Sequence, residues 1–326
     1  MKVLITREIP RAGVELLRKH ALELDYRKGA PLSDSELKKA IKDADAVISV
    51  IPDNISREVL ESAKNLKVIA NYAVGYDNTD VKAASEMGIY VSNTPGDLTE
   101  SVAEHSMALM LAVGRKIVQA DKFVREGKYK YWDPMIFLGP TFSEKTLGLI
   151  GFGRIGQWFA KLAKGAFNMR VLYTDIARNE SAEKEIGAIY TSMDELLEQS
   201  DIVSIHVPLL PSTKHLITRR EIKKMKPTAI LINTARGPII DEDDLCVALR
   251  ENWISGAGID VYEQEPKIYA GLKELENVVL TPHIGSATRE SRIEMARMAA
   301  ANVIEVLINK KPPISLVNKD INKPRI

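Results

Sequence analysis

Residues 145–178 read KTLGLIGFGRIGQWFAKLAKGAFNMRVLYTDIAR, and this stretch decides the fold. The apolar run at 147–150 has the length and composition of a buried strand. It leads directly into Gly151, Gly153 and Gly156, spaced as GxGxxG. Residues 158–166 have helix-forming composition, and a second apolar run at 169–173 ends at Asp175. Strand, glycine turn, helix, strand and acid, in that order, form the dinucleotide-binding unit. Gly151 permits the tight turn, Gly153 lets a pyrophosphate approach the backbone, and Gly156 lets the helix pack close to the strand. The helix N-terminus offers unpaired N–H groups and a partial positive charge to the phosphates. Asp175 can accept hydrogen bonds from the adenosine ribose and repels a 2′-phosphate, which favours NAD over NADP. GxGxxG alone occurs in many glycine-rich turns. The correct flanks and the acid about 20 residues on make it specific here.

At 326 residues the chain is long enough for two domains with their own cores. Its net charge is +1, from 45 basic and 44 acidic residues, so nothing draws it electrostatically to nucleic acid or a membrane surface. A single cysteine, Cys246, excludes an internal disulfide and suits a reducing compartment. The start MKVLITREIP reads as a strand without a signal-peptide pattern, and no apolar run is long enough to span a bilayer. A cytoplasmic protein is expected. No ligand spacing resembles a zinc site, so no metal is expected.

Outward from the glycine turn, both flanks alternate strands and helices, which argues for parallel sheets. On the N-terminal side, strands are expected at 2–6, 22–26, 46–50 and 66–70, with Ser33 and Glu36 as a capping box. The loop NYAVGYDN (71–78) follows the fourth strand, where ligands of open α/β sheets gather. It is either an anion-holding loop centred on Val74 and Gly75 or a simple turn. Ser101 and Glu104 form another capping-box pattern, predicting one long helix through Arg115 toward Arg125. The aperiodic segment YKYWDPMIFLG (129–139) fills a core, clamps onto a neighbour, or joins a subunit interface; the interface is the preferred reading. On the C-terminal side, strands are expected at 201–207, 229–233, 254–260 and 278–280, making a doubly wound sheet of six or seven strands. A final helix follows at 288–309, and the tail ISLVNKDINKPRI returns to the first domain.

Three polar residues fall just after strands of that second sheet: Arg236, Glu265 and His283. Reduction of a keto acid needs a cation on the carboxylate and carbonyl, an acid for the forming alkoxide, and a partner for that acid. Guanidinium suits the first role, since it binds carboxylate bidentately. Histidine suits the second, titrating near neutrality, and a carboxylate beside it favours the imidazolium. Singly, each has a bland alternative: a solvated arginine, a hydrogen-bonded turn histidine, a turn acid. His20, His105, His206 and His215 have no such acid or arginine at a strand end and read as structural.

The ordered segments NYAVGYDN, SVAEHSMALML, GLIGFGRIGQ, HVPLLPSTKHLI, INTARGPIIDEDDL, GIDVYEQEP and TPHIGSAT resemble the D-isomer-specific 2-hydroxyacid dehydrogenases. The resemblance runs from residue 71 through the TPHIGSAT turn. It implies an α/β fold of two doubly wound parallel-sheet domains, a flavodoxin-like substrate domain and a Rossmann NAD-binding domain. The substrate domain would be discontinuous, 1–98 and 289–326, with the NAD domain inserted at 99–288. It also implies Arg236, Glu265 and His283 as the catalytic set, with Val74 and Gly75 gripping the substrate carboxylate. The cofactor would meet Gly151, Gly153, Arg154, Ile155, Gly156, Asp175, Val207, Pro208, Thr234, Asp260, His283 and Gly285. Within that set, Val207 and Pro208 would flank the adenine and Asp260 would meet the carboxamide. A homodimer through the NAD domains is implied, with Trp132 able to reach a partner's site.

Within the family, WDPMIFLG and TPHIGSAT most resemble glyoxylate/hydroxypyruvate reductases, pointing to NADH-dependent reduction of glyoxylate and hydroxypyruvate. Phosphoglycerate dehydrogenases usually carry Arg-Ser after the third strand, where this chain reads SVIPDN (49–54) and ends without an added regulatory domain. D-3-phosphoglycerate or D-lactate dehydrogenase is the alternative enzyme. An NAD-sensing corepressor is the non-enzymatic one, and the absence of extended basic tails opposes it. Arg178, close to Asp175, is the residue that could accommodate NADP.

Overall fold

The computed structural model describes residues 1–96 and 98–325. The chain divides into two compact units, Met1–Leu98 with Ala287–Ile326, and Thr99–Ser286.

The first unit holds strands β1 (Lys2–Ile5), β2 (Glu23–Tyr26), β3 (Ala46–Ser49), β4 (Val68–Asn71) and β5 (Tyr90–Ser92). They form one parallel sheet in the order β2-β1-β3-β4-β5. β3 (AVIS) and β4 (VIAN) are buried at every position, as parallel strands covered on both faces must be. β5 has no counterpart among the strands expected from sequence, because three residues carry no periodic signal. The Ser33–Glu36 capping box forms as expected. Gly13 lets the helix Arg11–Arg18 meet the helix Arg289–Leu307, since a Cβ there would lie 2.4 Å from the Ala296 carbonyl oxygen. The tail closes the unit: Val317 N donates to Val91 O at 2.8 Å and Arg325 N to Gly88 O at 2.7 Å.

The second unit adds β6 (Thr146–Ile150), β7 (Arg170–Thr174), β8 (Ala188–Tyr190), β9 (Ile202–Ile205), β10 (Ile230–Asn233), β11 (Gly256–Ile259) and β12 (Val278–Leu280). All seven run parallel in the order β12-β11-β10-β9-β6-β7-β8. The chain winds outward both ways from β6, so the switch point lies between β6 and β9, beside the glycine turn.

Two expectations are corrected. Ser101 does not cap a helix: it lies inside the helix Leu98–Gly114. Nor is that helix continuous toward Arg125. Lys116 takes the left-handed conformation at φ 51°, and a separate helix runs Ile117–Arg125. The cause is at Gly114, where a Cβ would stand 2.3 Å from the Phe142 ring, so the 139–142 segment presses on the helix end. The 129–139 segment is irregular, and it fills no core of its own chain. Tyr131, Trp132 and Met135 are 74%, 75% and 71% exposed. Among the described residues, no helix is long and apolar enough to cross a membrane.

Candidate active site

The glycine turn has the shape that its spacing implies. Gly151 sits at φ +94°, and a Cβ there would lie 2.8 Å from the His206 carbonyl carbon. A Cβ on Gly156 would come within 2.5 Å of the Gly151 carbonyl oxygen, so helix and turn touch through backbone alone. Gly153 faces open space. It is the N-cap of the helix Arg154–Phe167 and no side chain caps that end. The first-turn N–H groups, at Arg154, Ile155 and Gly156, are therefore open to an anion. An exposed glycine, an uncapped helix and a left-handed turn together fit a pyrophosphate.

Asp175 directly follows β7 and ties it to the turn: Oδ2 accepts Phe152 N and Oδ1 accepts Ile176 N, both at 2.7 Å. Arg178 is already engaged. Its Nε and Nη2 bond the two oxygens of Glu183 at 2.9 and 2.8 Å, and Tyr173 Oη adds a bond to the same carboxylate at 2.6 Å. The Arg178 and Tyr173 bonds hold the Glu183 carboxyl down at about 2. Val207 and Pro208 follow β9, and Pro208 O accepts Thr213 Oγ1 at 2.6 Å. Thr234 Oγ1 is 2.9 Å from Ser106 Oγ.

The three candidate chemical residues follow adjacent strands, Arg236 after β10, Glu265 after β11 and His283 after β12. His283 and Glu265 are paired directly, with Nδ1 to Oε2 at 2.7 Å. Glu265 Oε1 also accepts Tyr262 N at 2.9 Å. His283 is itself left-handed, at φ 55°, a conformation costing roughly 1–3 kcal/mol in a non-glycine residue. Its N–H donates to Asp260 O at 2.8 Å. Arg236 Nη1 donates to Ala235 O at 2.7 Å, and its carbonyl accepts Asn233 Nδ2 at 3.0 Å.

Asp260, 1% exposed, organises the histidine turn. Its Oδ1 accepts Thr281 Oγ1 at 2.6 Å and Ile284 N at 2.8 Å, and Oδ2 accepts Gly285 N at 2.8 Å. Burial pushes this carboxyl upward, but bonds from His105, Thr281 and Ile284 outweigh it and hold it below the usual aspartate value.

In the first unit, Asn93 Nδ2 donates to Val74 O at 2.8 Å and Asn71 Nδ2 to Gly75 O at 2.7 Å. Among the described residues neither the Val74 nor the Gly75 N–H has a hydrogen-bond partner. The carbonyls of this loop are pinned and its donors are open.

Two histidines set aside as lacking acids have them. His105 Nε2 lies 3.3 Å from Asp260 Oδ1 and 3.1 Å from Thr281 Oγ1. His215 lies 3.2 Å from Glu263 Oε2 and 3.7 Å from Asp241 Oδ2. No sequence spacing could reveal the first pairing, since Thr281 lies 176 positions along the chain from His105. The second uses acids inside motifs already quoted, PIIDEDDL and VYEQEP, and only their pairing was hidden. Among the described residues, no group of His, Cys, Asp and Glu could hold a metal ion.

His206 is packed under the glycine turn, its ring edge-on to Phe159 with centroids 6.0 Å apart and Nε2 2.9 Å from Ser204 Oγ. Part of the residue reaches solvent, but this packing desolvates the ring and drops its pKa from 6.5 to about 3. Between those values the unfolded chain binds a proton that the fold refuses, so stability is full above pH 6.5 and declines as pH falls toward 3. Urea unfolding of His206→Gln at pH 7 and pH 4.5 should show a smaller acid loss than the parent; an equal loss would mean that this ring is not the acid-labile group.

A family model described as D-isomer specific 2-hydroxyacid dehydrogenase, NAD binding domain, matches residues 107–285. A glyoxylate reductase of Thermococcus litoralis is 49% identical over 325 residues, 98% of this chain and 97% of the relative. A solved Thermus thermophilus structure aligns at TM-score 0.91 and 43% identity, covering 97% of this chain and all of that one (100%). An NADPH-dependent glyoxylate/hydroxypyruvate reductase of Sinorhizobium meliloti, solved with NADP and malonate, aligns at TM-score 0.87 and 27% identity. That alignment covers 100% of this chain and 99% of the other.

Proposed function

The chain belongs to the D-isomer specific 2-hydroxyacid dehydrogenase family, and from that premise we propose that it reduces glyoxylate, and hydroxypyruvate beside it, with NADH. The products are glycolate and D-glycerate. The observation that carries the reading is the His283–Glu265 pair, 2.7 Å apart, in the loops after β12 and β11, with Arg236 delivered after β10 on the other side of β11. Bound reduced nicotinamide supplies the hydride; the chain supplies everything else. Arg236 holds the substrate carboxylate and polarises the keto oxygen. In the first unit, the open N–H groups of Val74 and Gly75 suit a carboxylate as well. His283 gives its Nε2 proton to the forming alkoxide. Glu265 accepts the Nδ1–H bond, which orients the ring and balances the imidazolium charge.

The cofactor roles are proposed in the same way. The open N–H groups of Arg154, Ile155 and Gly156 take the pyrophosphate, and Gly151 and Gly153 give it room. Val207 and Pro208 flank the adenine. Asp260 meets the carboxamide, with Thr234, His283 and Gly285 around the nicotinamide. Asp175 receives the ribose hydroxyls. NAD is favoured over NADP because Asp175 presents a carboxylate where a 2′-phosphate would sit and both sides of the Arg178 fork already bond Glu183. The lone buried Cys246 suits a reducing, cytoplasmic setting.

Initial rates of NADH and NADPH oxidation with glyoxylate, hydroxypyruvate, pyruvate and 3-phosphohydroxypyruvate, side by side, test this directly. NADH with the first two should be fastest, and Asp175→Ser should erode the preference for NADH. Faster turnover of the phosphorylated acid would assign a phosphoglycerate dehydrogenase instead, and faster NADPH oxidation would remove Asp175 from its role.

His283→Ala should lower kcat by about 10²-fold or more while NADH binding, followed by fluorescence, stays near the parent value. Arg236→Lys keeps the charge but loses the fork, so KM for glyoxylate should rise sharply. Near-parental turnover in the first, or an unchanged KM in the second, would strike that residue from the site.

The exposed apolar arm at 129–139 supports a homodimer, in which a second copy covers Tyr131 and Met135 and Trp132 reaches the partner's site. Sedimentation at micromolar concentration should return twice the 36.2 kDa chain mass, and Tyr131→Asp with Met135→Asp should return the single mass. A parent protein that sediments as one chain would rule the dimer out.

A further inference from the structure

The loops that carry Arg236 and Glu265 leave different strands, yet they are locked together away from the reacting atoms. Glu242, 7% exposed, is the first residue of the helix Glu242–Arg250, which follows the Arg236 turn. Its Oε1 accepts Glu263 N at 2.9 Å, while Glu263 Oε1 accepts Glu242 N at 3.0 Å. This reciprocal pair joins the loop after β10 to the loop after β11. The two backbones also touch at Gly237, where a Cβ would stand 2.2 Å from the Tyr262 carbonyl oxygen. Glu263 is steadied on its other side by His215, 3.2 Å from Oε2. Two residues further on, Glu265 holds His283.

A buried carboxyl is a poor choice if only stability is served. Burial pushes the Glu242 carboxyl up, and the nearby charges of Glu263, Glu265 and Asp241 push the same way. A well-packed apolar residue of the same volume would spare that desolvation. What such a residue lacks is an acceptor for the Glu263 N–H.

We propose that Glu242 is a positioning residue for proton transfer: by accepting the Glu263 N–H it fixes the 260–265 loop, and so the placement of Glu265 against His283 and of both relative to Arg236. The proposal rests on the catalytic roles given to Arg236, Glu265 and His283 above. Glu242 touches no reacting atom and acts through the loop alone.

The test compares full-length Glu242→Met, Glu242→Gln and His283→Ala with the parent, using glyoxylate and NADH. Glu242→Met keeps the volume and loses the acceptor. The stranded Glu263 N–H should lower its melting temperature somewhat, and assayed well below that temperature its kcat should fall about tenfold or more, with KM and NADH affinity nearly unchanged. Glu242→Gln keeps an amide oxygen for the Glu263 N–H and should restore kcat to within about threefold of the parent. Parental turnover in Glu242→Met, with His283→Ala inactive, would overturn the positioning role and leave the catalytic reading standing. An active His283→Ala would remove the catalytic reading, and the latch with it. Should Glu242→Met fail to fold, Glu242→Gln decides: a tenfold loss there, with the acceptor retained, would overturn the proposal.

Discussion

The buried carboxylate of Asp260 is the constraint on which the rest of the candidate site depends. A carboxylate taken out of water without donors costs several kcal/mol, so the chain must bring donors to it. They come from the far side of β12: the Thr281 hydroxyl and the N–H groups of Ile284 and Gly285, with His105 added from the helix Leu98–Gly114. To deliver them, the segment after β12 folds over the end of β11. His283 lies in the middle of that fold-over, in a left-handed conformation that these bonds sustain, and its ring meets Glu265. The placement of the His283–Glu265 pair thus follows from satisfying one buried acid.

The same economy of means governs the opposite side of the switch point. Gly151 and Gly156 bring the helix Arg154–Phe167 onto the turn through backbone contact, which closes the space that side chains would occupy. His206 fills the remaining volume beneath, desolvated enough to stay neutral well into the acid range. Asp175 then spans from β7 back to Phe152 N, so the residue proposed to receive the ribose also fixes the turn proposed to hold the phosphates. Local rigidity and the proposed ligand recognition share one side chain there.

The first unit prepares its loop with amides in place of charges. Asn71, wholly buried, accepts Ser49 Oγ at 3.1 Å and Asn78 Nδ2 at 3.3 Å on Oδ1 while giving Nδ2 to Gly75 O. Only a side chain with both acceptor and donors can do this; an aspartate in its place would have no donor for the Gly75 carbonyl. The carbonyls at Val74 and Gly75 are thus fixed by neutral amides, which add no charge of their own beside the open N–H groups.

Local patterns carried much of this architecture. The apolar runs of the parallel strands, the GxGxxG turn with Asp175 at the end of the next strand, and the Ser33–Glu36 cap are short-range features. Their physics is complete within a few residues, or within one strand–turn–helix unit, and they are legible in the sequence by itself. Placing Arg236, Glu265 and His283 after strands of one sheet was also legible. Steric facts between distant segments were not. Phe142 against Gly114 breaks a helix that looks continuous in one dimension, and β5 takes its conformation from its neighbour in the sheet. Tertiary structure alone decided that Glu265 meets His283, that His105 serves Asp260, and that Glu242 and Glu263 exchange their hydrogen bonds. The reason is that hydrogen-bond partners are chosen by distance in space, and a buried polar group takes whichever partner the packed chain brings within 3 Å or so.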